Sequence, residues 1–452
     1  MINAHTAMSL KNKLLKSKLV KGIAGAFGLR LVYTGLTFLT SILLARVLGK
    51  TGFGTYTYAV VWAYLLSVPA TMGFGNFIVR EIAVYEAKSE WSLLRGIVAW
   101  SSKAVFGVAA LISMVAIGIA WLVDGGEYSE PFVGFCLALL LMPALSLRNI
   151  RRGAMRGLHY VTKGLLPELL IDPLILITLT VVAFLVLSQR LTPLWVIGFY
   201  GVGTSVTLLI VSLFLRQVMP AAARAAQPKY QGKLWLSGAL PFMLIDSLPI
   251  INAQTDVLML GALQGVDAVG LYVPVSRGAQ LITFILMAVS STLSPTIASA
   301  YADNRLLDLQ QTITKSVRLV AGVAFLFAAT LIVCGPWYLG LFGPEFIQGQ
   351  LALYILCISS FMSTSLGVAF VILNMTGHDG YTAKVGWGTT MLNVVLNAAL
   401  IPAWGVEGAA VATSTSLVVG AVLCLVAVRK RLGIDATLMG FPAKPVDGDP
   451  LS

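Results

Sequence analysis

Long apolar runs separated by short polar or basic segments fill almost the whole chain. They lie near 22–45, 54–77, 98–123, 131–150, 165–188, 194–216, 235–261, 269–295, 316–342, 350–374, 384–402 and 406–428. Each is long enough to cross a hydrocarbon core of about 30 Å as a helix. The pattern predicts an all-α integral membrane protein of twelve transmembrane helices. Every even connection and both termini then fall on one side of the bilayer. The seventh run is interrupted by Pro241 and Pro249, which predicts an irregular helix.

Charge follows the same partition. Twenty-six of the 31 Lys and Arg residues fall on the side that holds the termini. They cluster at Lys11–Lys21, around Arg80 to Lys103, at Arg148, Arg151, Arg152, Arg156 and Lys163, from Arg216 to Lys233, and at Arg429–Arg431. Only Arg46, Lys50 and Arg190 lie opposite, while Arg30 and Arg277 fall inside runs. Short basic loops stay cytoplasmic, so both termini are expected in the cytoplasm. The net charge of +12 is thus a topology signal. Nucleic-acid binding would need one basic face on a soluble domain, and the pattern offers none.

Composition agrees, with 58% apolar and 11% charged residues. The first run is too long for a signal peptide and lacks a small-residue cleavage site, so it is expected to remain as a spanning helix. Cys136, Cys334, Cys357 and Cys424 fall singly within runs, and His5, His159 and His378 are scattered. Neither a disulfide nor a metal site is expected, and no cofactor.

The chain reads as a duplication. At an offset of 216, Gly49-x4-Gly54-x-Tyr56 matches Gly265-x4-Gly270-x-Tyr272, and Gly22 and Leu44 meet Gly238 and Leu260. At an offset of 220, Gly157-x4-Thr162 matches Gly377-x4-Thr382. Six helices per half is an even number, so the halves share an orientation, related by a pseudo-two-fold axis along the membrane normal. The expected organisation is a basic amino terminus (1–21), a six-helix lobe (22–216), a cytoplasmic linker (217–234), a second six-helix lobe (235–428) and a cytoplasmic tail (429–452).

Connections on the outer side are short, leaving no place for a catalytic domain. A Gly-x4-Gly-Lys phosphate loop is also absent: Leu44 stands five residues before Gly49-Lys50, and Gln227 before Gly232-Lys233. Transport driven by an ion gradient, the membrane potential or the substrate gradient fits better than catalysis.

Ionisable groups inside spans cost about 2.5–3.5 kcal/mol or more near the helix centre, so those present mark function. Arg30 lies eight residues into the first run, about 12 Å along its axis. Its planar fork of donors suits phosphate oxygens. Asp246 occupies the equivalent place in the seventh run by the offset of 216, which makes a structural Arg30–Asp246 pair the competing expectation. Asn252 and Asp256 stand one turn apart on a common face of that broken run. Arg277, in the eighth run, is a second candidate cation. Glu168 and Asp172 are one turn apart at the start of the fifth run, where acidic groups favour the helix dipole. Asp172, followed by Pro173, lies deeper.

Two segments carry a resemblance. The run from Leu44 to Tyr56 (LARVLGKTGFGTY) resembles the signature after the first helix of bacterial polysaccharide flippases, the O-antigen and exopolysaccharide transporters of the multidrug/oligosaccharidyl-lipid/polysaccharide superfamily. Asn393-x3-Asn397-x2-Leu400-Ile401-Pro402-x2-Gly405-x2-Gly408-Ala409-Ala410-x-Ala412-Thr413 is similar to that superfamily's corner between helices 11 and 12. The likeness implies a flippase of the bacterial cytoplasmic membrane that moves a polyprenyl-diphosphate-linked oligosaccharide repeat unit by alternating access. The charged and polar groups inside the runs would then serve it, Arg30, Arg277 and Asn252 as expected substrate contacts and Asp246, Asp172 or Asp256 for coupling to H⁺ or Na⁺. A polysaccharide polymerase and chain-length components are the implied protein partners. Three alternatives stay open: a multidrug extruder, a lipid II flippase of the same superfamily, and a non-transporting scaffold of a glycan assembly complex. Lipid II flippases usually carry fourteen helices and multidrug extruders favour acidic amino-terminal lobes.

Overall fold

The computed structural model describes residues 2–123, 129–187, 191–303 and 305–440, with side chains from residue 28 onward except 187, 245 and 306. The expected outer loop at 124–130 therefore lies largely outside the described residues, as do Arg190 and Lys444. The described backbone is helical, without strands.

The first helices are α1 (Ile2–Thr71), α2 (Phe74–Ala87), α3 (Trp91–Val123), α4 (Glu130–Leu140) and α5 (Met142–Gly157). There follow α6 (Val161–Leu166), α7 (Asp172–Leu187), α8 (Pro193–Val218), α9 (Ala221–Ala225) and α10 (Gly232–Gln264). The remainder comprises α11 (Val266–Ala302), α12 (Leu306–Val333), α13 (Gly335–Gly340), α14 (Gln350–Leu366), α15 (Val368–Met375) and α16 (Asp379–Leu432). Among the described residues, nine helical stretches are long and apolar enough to span a bilayer, or ten if the two halves of the bent helix α10 count as one. Two of these join neighbouring apolar runs of the sequence. α1 carries the first two runs and α16 the last two, and each leaves helical geometry at one glycine, Gly49 (φ 67°) or Gly405 (φ 55°).

Contacts divide the chain into two compact units. One holds Met1–Leu48 and Thr55–Ile250, the other Gly49–Gly54 and Ile251–Ser452. The division falls inside α10. Segment 217–234, expected as a linker, is bound into the amino-terminal unit: Lys229 N donates to Ser92 O, and Arg95 Nη1 donates to the carbonyls of Arg224 and Ala226. Trp235, fully buried, donates from Nε1 to the Tyr85 hydroxyl at 2.8 Å.

In the amino-terminal unit α5 is the central helix, in contact with α2, α3 and α8. Small residues on α5 allow the close approach. Gly153 meets the Gly75 carbonyl and Ile78, and Gly157 meets Ile82. Membrane helices associate through such small contacts, because lipid tails leave no hydrophobic drive between them. Around them lies a core that includes Phe74, Phe77, Leu94, Ile150 and Met155. In the carboxy-terminal unit α14 plays the same part, in contact with α11, α12 and α16. Its second core gathers Ile313, Val317, Ile372 and Val428, and extends to Ile434 and Ala436 beyond the last helix.

Two glycines that the offset of 216 aligns have similar backbone angles. Gly49 (φ 67°, ψ −177°) and Gly265 (φ 87°, ψ 177°) share a conformation open to glycine and strained for other residues. Gly54 and Gly270 then meet the opposite strand of chain: a Cβ at Gly54 would overlap the Val266 carbonyl, and one at Gly270 the Lys50 carbonyl. Lys50 completes the corner through its ammonium at 3.4 Å from Asp267 and its backbone N–H at 2.7 Å from Glu345 Oε1.

Substitutions separate these contacts from open positions. Gly54→Val or Gly270→Val forces backbone apart and should destabilise by roughly 1–3 kcal/mol. Gly198→Ala, with open space at its Cβ, should leave stability unchanged or raise it by about 0.5–1 kcal/mol through helix propensity. Thermal unfolding in detergent measures both, and an unaffected Gly270→Val would show that the corner yields.

Candidate functional site

The amino-terminal unit contains a charged network centred on α5. Arg148, Arg152 and Arg156 recur every four residues, which places them on one face of the helix. Their sequence neighbourhood reads as a cytoplasmic loop. The structure corrects that expectation, because α5 continues to Gly157 and buries Arg148 at 4% exposure. The cause is packing: Ile150, Gly153, Ala154, Met155 and Gly157 bury another part of the helix surface.

Each rung of this ladder meets polar partners. Arg148 Nη1 donates to Asp172 Oδ2 and, at 3.2 Å, to the Thr207 hydroxyl. Arg152 Nη1 donates to Glu168 Oε2 at 2.5 Å, and its Nη2 to Asn149 Oδ1 at 2.8 Å. Arg156 Nη1 donates to Asn76 Oδ1 at 3.3 Å. Asn76 in turn donates from Nδ2 to Asp246 Oδ1 at 2.5 Å. Glu168 lies in a single π-helical turn, Pro167–Ile171, immediately before Asp172. Such turns shift the register of a helix and recur at functional sites. Glu168 is therefore an ion-pair partner inside a continuous helical segment, beyond the helix-start role expected from its sequence position.

Arg30 is exposed on α1, and its charge acts on Arg156 and Glu168. The expected Arg30–Asp246 pair is not formed among the described residues. Asp246, half-buried, takes the Asn76 amide, with Arg156 as the cation acting on it. The ladder intervenes because Arg156 already supplies the positive charge that Asp246 would otherwise seek in Arg30.

The carboxy-terminal unit holds a different site. Asp256, 6% exposed, accepts four hydrogen bonds, all from neutral groups. Tyr272 and Thr413 hydroxyls donate to Oδ2 at 2.6 Å each, and Asn397 and Asn393 Nδ2 donate to Oδ1 at 2.8 and 3.3 Å. One turn away, Asn252 Oδ1 accepts from Thr390 at 2.7 Å, so Asn252 and Asp256 both face α16 as their spacing predicted. Among the described residues, no cluster of three or more His, Cys, Asp or Glu could hold a metal ion. Arg277 is half-buried on α11 and reaches Gln280 Oε1 at 3.3 Å.

The sequence thus supplied Arg30, Asp172, Asp246, Asn252, Asp256 and Arg277. The structure brings Asp172 onto Arg148, Asp246 onto Asn76, and Asn252 beside Asp256 on one helix. Sequence reasoning missed Arg148, Arg152, Arg156 and Asn76 as site residues. The signal available was the i, i+4, i+8 spacing of the arginines, which a loop has no reason to keep.

A family described as "Polysaccharide biosynthesis protein" matches residues 19–301, and one described as "MatE" matches 241–402. Two curated relatives come from Haloferax volcanii. "Probable flippase AglR" is 24% identical over 433 residues, 92% of this chain and 84% of that protein. "Probable low-salt glycan biosynthesis flippase Agl15" is 23% identical, over 91% and 82%. Among solved structures, an inward-facing multidrug resistance MATE family transporter of the MOP superfamily superposes with a TM-score of 0.71 at 14% identity, over 88% of this chain and 94% of that one. A MOP superfamily transporter from Pyrococcus furiosus gives a TM-score of 0.61 at 13% identity, over 91% and 95%. The structural likeness shows a shared all-helical fold. With residues 19–301, more than half of its length, matched, the chain belongs to the polysaccharide biosynthesis protein family and is a multi-pass membrane protein.

Proposed function

We propose that this protein carries polyprenyl-diphosphate-linked oligosaccharide repeat units from the inner to the outer leaflet of the cytoplasmic membrane, by alternating access between two six-helix lobes. The arginine ladder on α5, with Arg30 acting on the same groups, is the observation that carries this reading. A diphosphate needs several guanidinium donors in a site shielded from water, and forked guanidiniums match phosphate oxygens. Glu168 and Asp246 keep the ladder neutralised while it is empty, and the incoming diphosphate takes their place. Arg277 is a further cation for the anionic head group. The curated relatives, named as flippases and in one instance as a glycan biosynthesis flippase, support a lipid-linked glycan as cargo.

Twelve crossings follow if α1 and α16 each cross twice, with Gly49 and Gly405 as their turning points. Both termini then lie in the cytoplasm, on the side that collects most of the basic residues. Asp256 is the coupling group. A buried carboxylate held only by neutral donors can take up H⁺ or Na⁺ without first breaking an ion pair, whereas Asp172 is already committed to Arg148.

Deleting the protein should leave lipid-linked oligosaccharide on the cytoplasmic leaflet and remove the surface polymer. Normal surface glycans together with new sensitivity to cationic drugs would instead support a multidrug extruder.

Arg152→Gln and Arg156→Gln should each slow flipping about tenfold or more in proteoliposomes, the equivalent of at least 1.4 kcal/mol of binding. Lysine at either place should rescue only in part, since an ammonium lacks the fork. Arg148→Gln should act mainly on stability, with a cost of roughly 3–5 kcal/mol from an unpaired Asp172, and Arg148→Met with Asp172→Leu should recover most of it. Flipping that stays normal in Arg152→Gln with Arg156→Gln would remove the ladder from the substrate path.

Asp256→Asn should make flipping indifferent to an imposed H⁺ or Na⁺ gradient. Gradient-driven flipping that persists at the wild-type rate would remove Asp256 from coupling.

A further inference from the structure

A cavity of about 310 Å³ lies within the carboxy-terminal unit. Its wall draws Asn252 from α10, Phe370 from α15, Thr389 and Asn393 from the first half of α16, and Thr413 and Ser416 from the second half. Its volume falls at the lower end of the range of small-molecule sites, about 300–1,000 Å³. That is about ten times the share of liquid volume held by one water, enough for a sugar ring.

The chemistry of the wall selects the occupant. No Lys, Arg, Asp or Glu lines the cavity. A diphosphate buried there would lack a counter-charge, and a drug cation would lack a carboxylate. Amides and hydroxyls instead alternate with aliphatic and aromatic surface. Asn252 has its Oδ1 engaged by Thr390, while the side chain itself is exposed and borders the cavity. A lipid chain would leave such groups without benefit. A saccharide, with hydroxyls at its rim and C–H groups on its faces, matches both kinds of surface.

Two of the lining groups have a second duty. Asn393 and Thr413 border the cavity and also donate to Asp256, at 3.3 and 2.6 Å. An occupant that accepts hydrogen bonds from either one competes with the Asp256 carboxylate for the same donor. Occupancy of the cavity and the ligand state of Asp256 are thereby linked, and linkage of this kind is reciprocal.

We propose that this cavity receives a neutral sugar residue of the lipid-linked glycan, a proposal that rests on the flippase reading above. The test uses full-length protein in liposomes and two probes. One is the glycolipid that accumulates in a deletion strain; the other is the same polyprenyl diphosphate without sugar. Ala421→Phe fills the cavity from α16, and Thr389→Val removes one hydroxyl at almost constant volume. Ala421→Phe should slow the glycolipid about tenfold, the loss of one or two hydrogen bonds, and leave the sugarless carrier within about twofold. Thr389→Val should slow the glycolipid alone, by about threefold. Equal slowing of both carriers would assign the cavity to the lipid or to packing and overturn the proposal, as would an unaffected glycolipid. If Ala421→Phe fails to insert, Thr389→Val decides by the same comparison. Wild-type protein that moves neither carrier would overturn the flippase reading itself, whereas wild type that moves both with no variant discriminating between them overturns only the cavity's role.

Discussion

Arg148 sits almost without solvent on the central helix of the amino-terminal unit, and a guanidinium in that position must find its partners inside the protein. Water is absent from hydrocarbon, and each unsatisfied polar group there costs several kcal/mol. Asp172 and Thr207 meet that demand from α7 and α8. The consequences spread outward. α5 must run close to α8, and Asp172 must reach in from the first turn of α7. The chain before Asp172 must present Glu168 to the next rung as well, and the π-helical turn at Pro167–Ile171 changes the register where both carboxylates are delivered.

The two units solve the problem of a buried charge in different ways. In the amino-terminal unit cations and carboxylates neutralise each other along a helix face. In the carboxy-terminal unit Asp256 stands without a cation, held by two hydroxyls and two amides. Four charge-assisted hydrogen bonds compensate the carboxylate for lost hydration, because each is stronger than a bond between neutral partners. Neutral donors leave the site with a net negative charge, which an ion pair would have cancelled. The arginine ladder, by contrast, pairs its cations with carboxylates on neighbouring helices.

Much of this organisation was legible in the sequence. The glycines of Gly49-x4-Gly54 and Gly265-x4-Gly270 have separate reasons: Gly49 and Gly265 hold a positive φ, and Gly54 and Gly270 meet a carbonyl. Asn252 and Asp256 were legible as one face from their four-residue separation, and Asn393 and Asn397 share that spacing on α16. The arginines of α5 were hidden by a rule that usually works. Cations at the end of an apolar run belong to a cytoplasmic loop in most membrane proteins, and hydropathy alone ends that run near residue 150. Packing of Gly153, Ala154 and Gly157 carries the helix further, and no apolar count registers glycine contacts. Asn76 was invisible for another reason: its role depends on Asp246 and Arg156, distant in sequence, converging on one amide.

Exposure grades along the ladder. Arg148 is enclosed, and exchanging its partner would expose a carboxylate to hydrocarbon without compensation. Arg152 and Glu168 are both partly exposed, at 26% and 20%, so water or a ligand can reach the pair. Arg156 donates to an amide oxygen at 3.3 Å and lies between the repulsion of Arg152 and Arg30 and the attraction of Asp246. Partner exchange therefore becomes easier from Arg148 to Arg156. The buried rung fixes the helix and the outer rungs stay within reach of water, so one stripe of identical residues divides into an enclosed end and an open end by exposure alone.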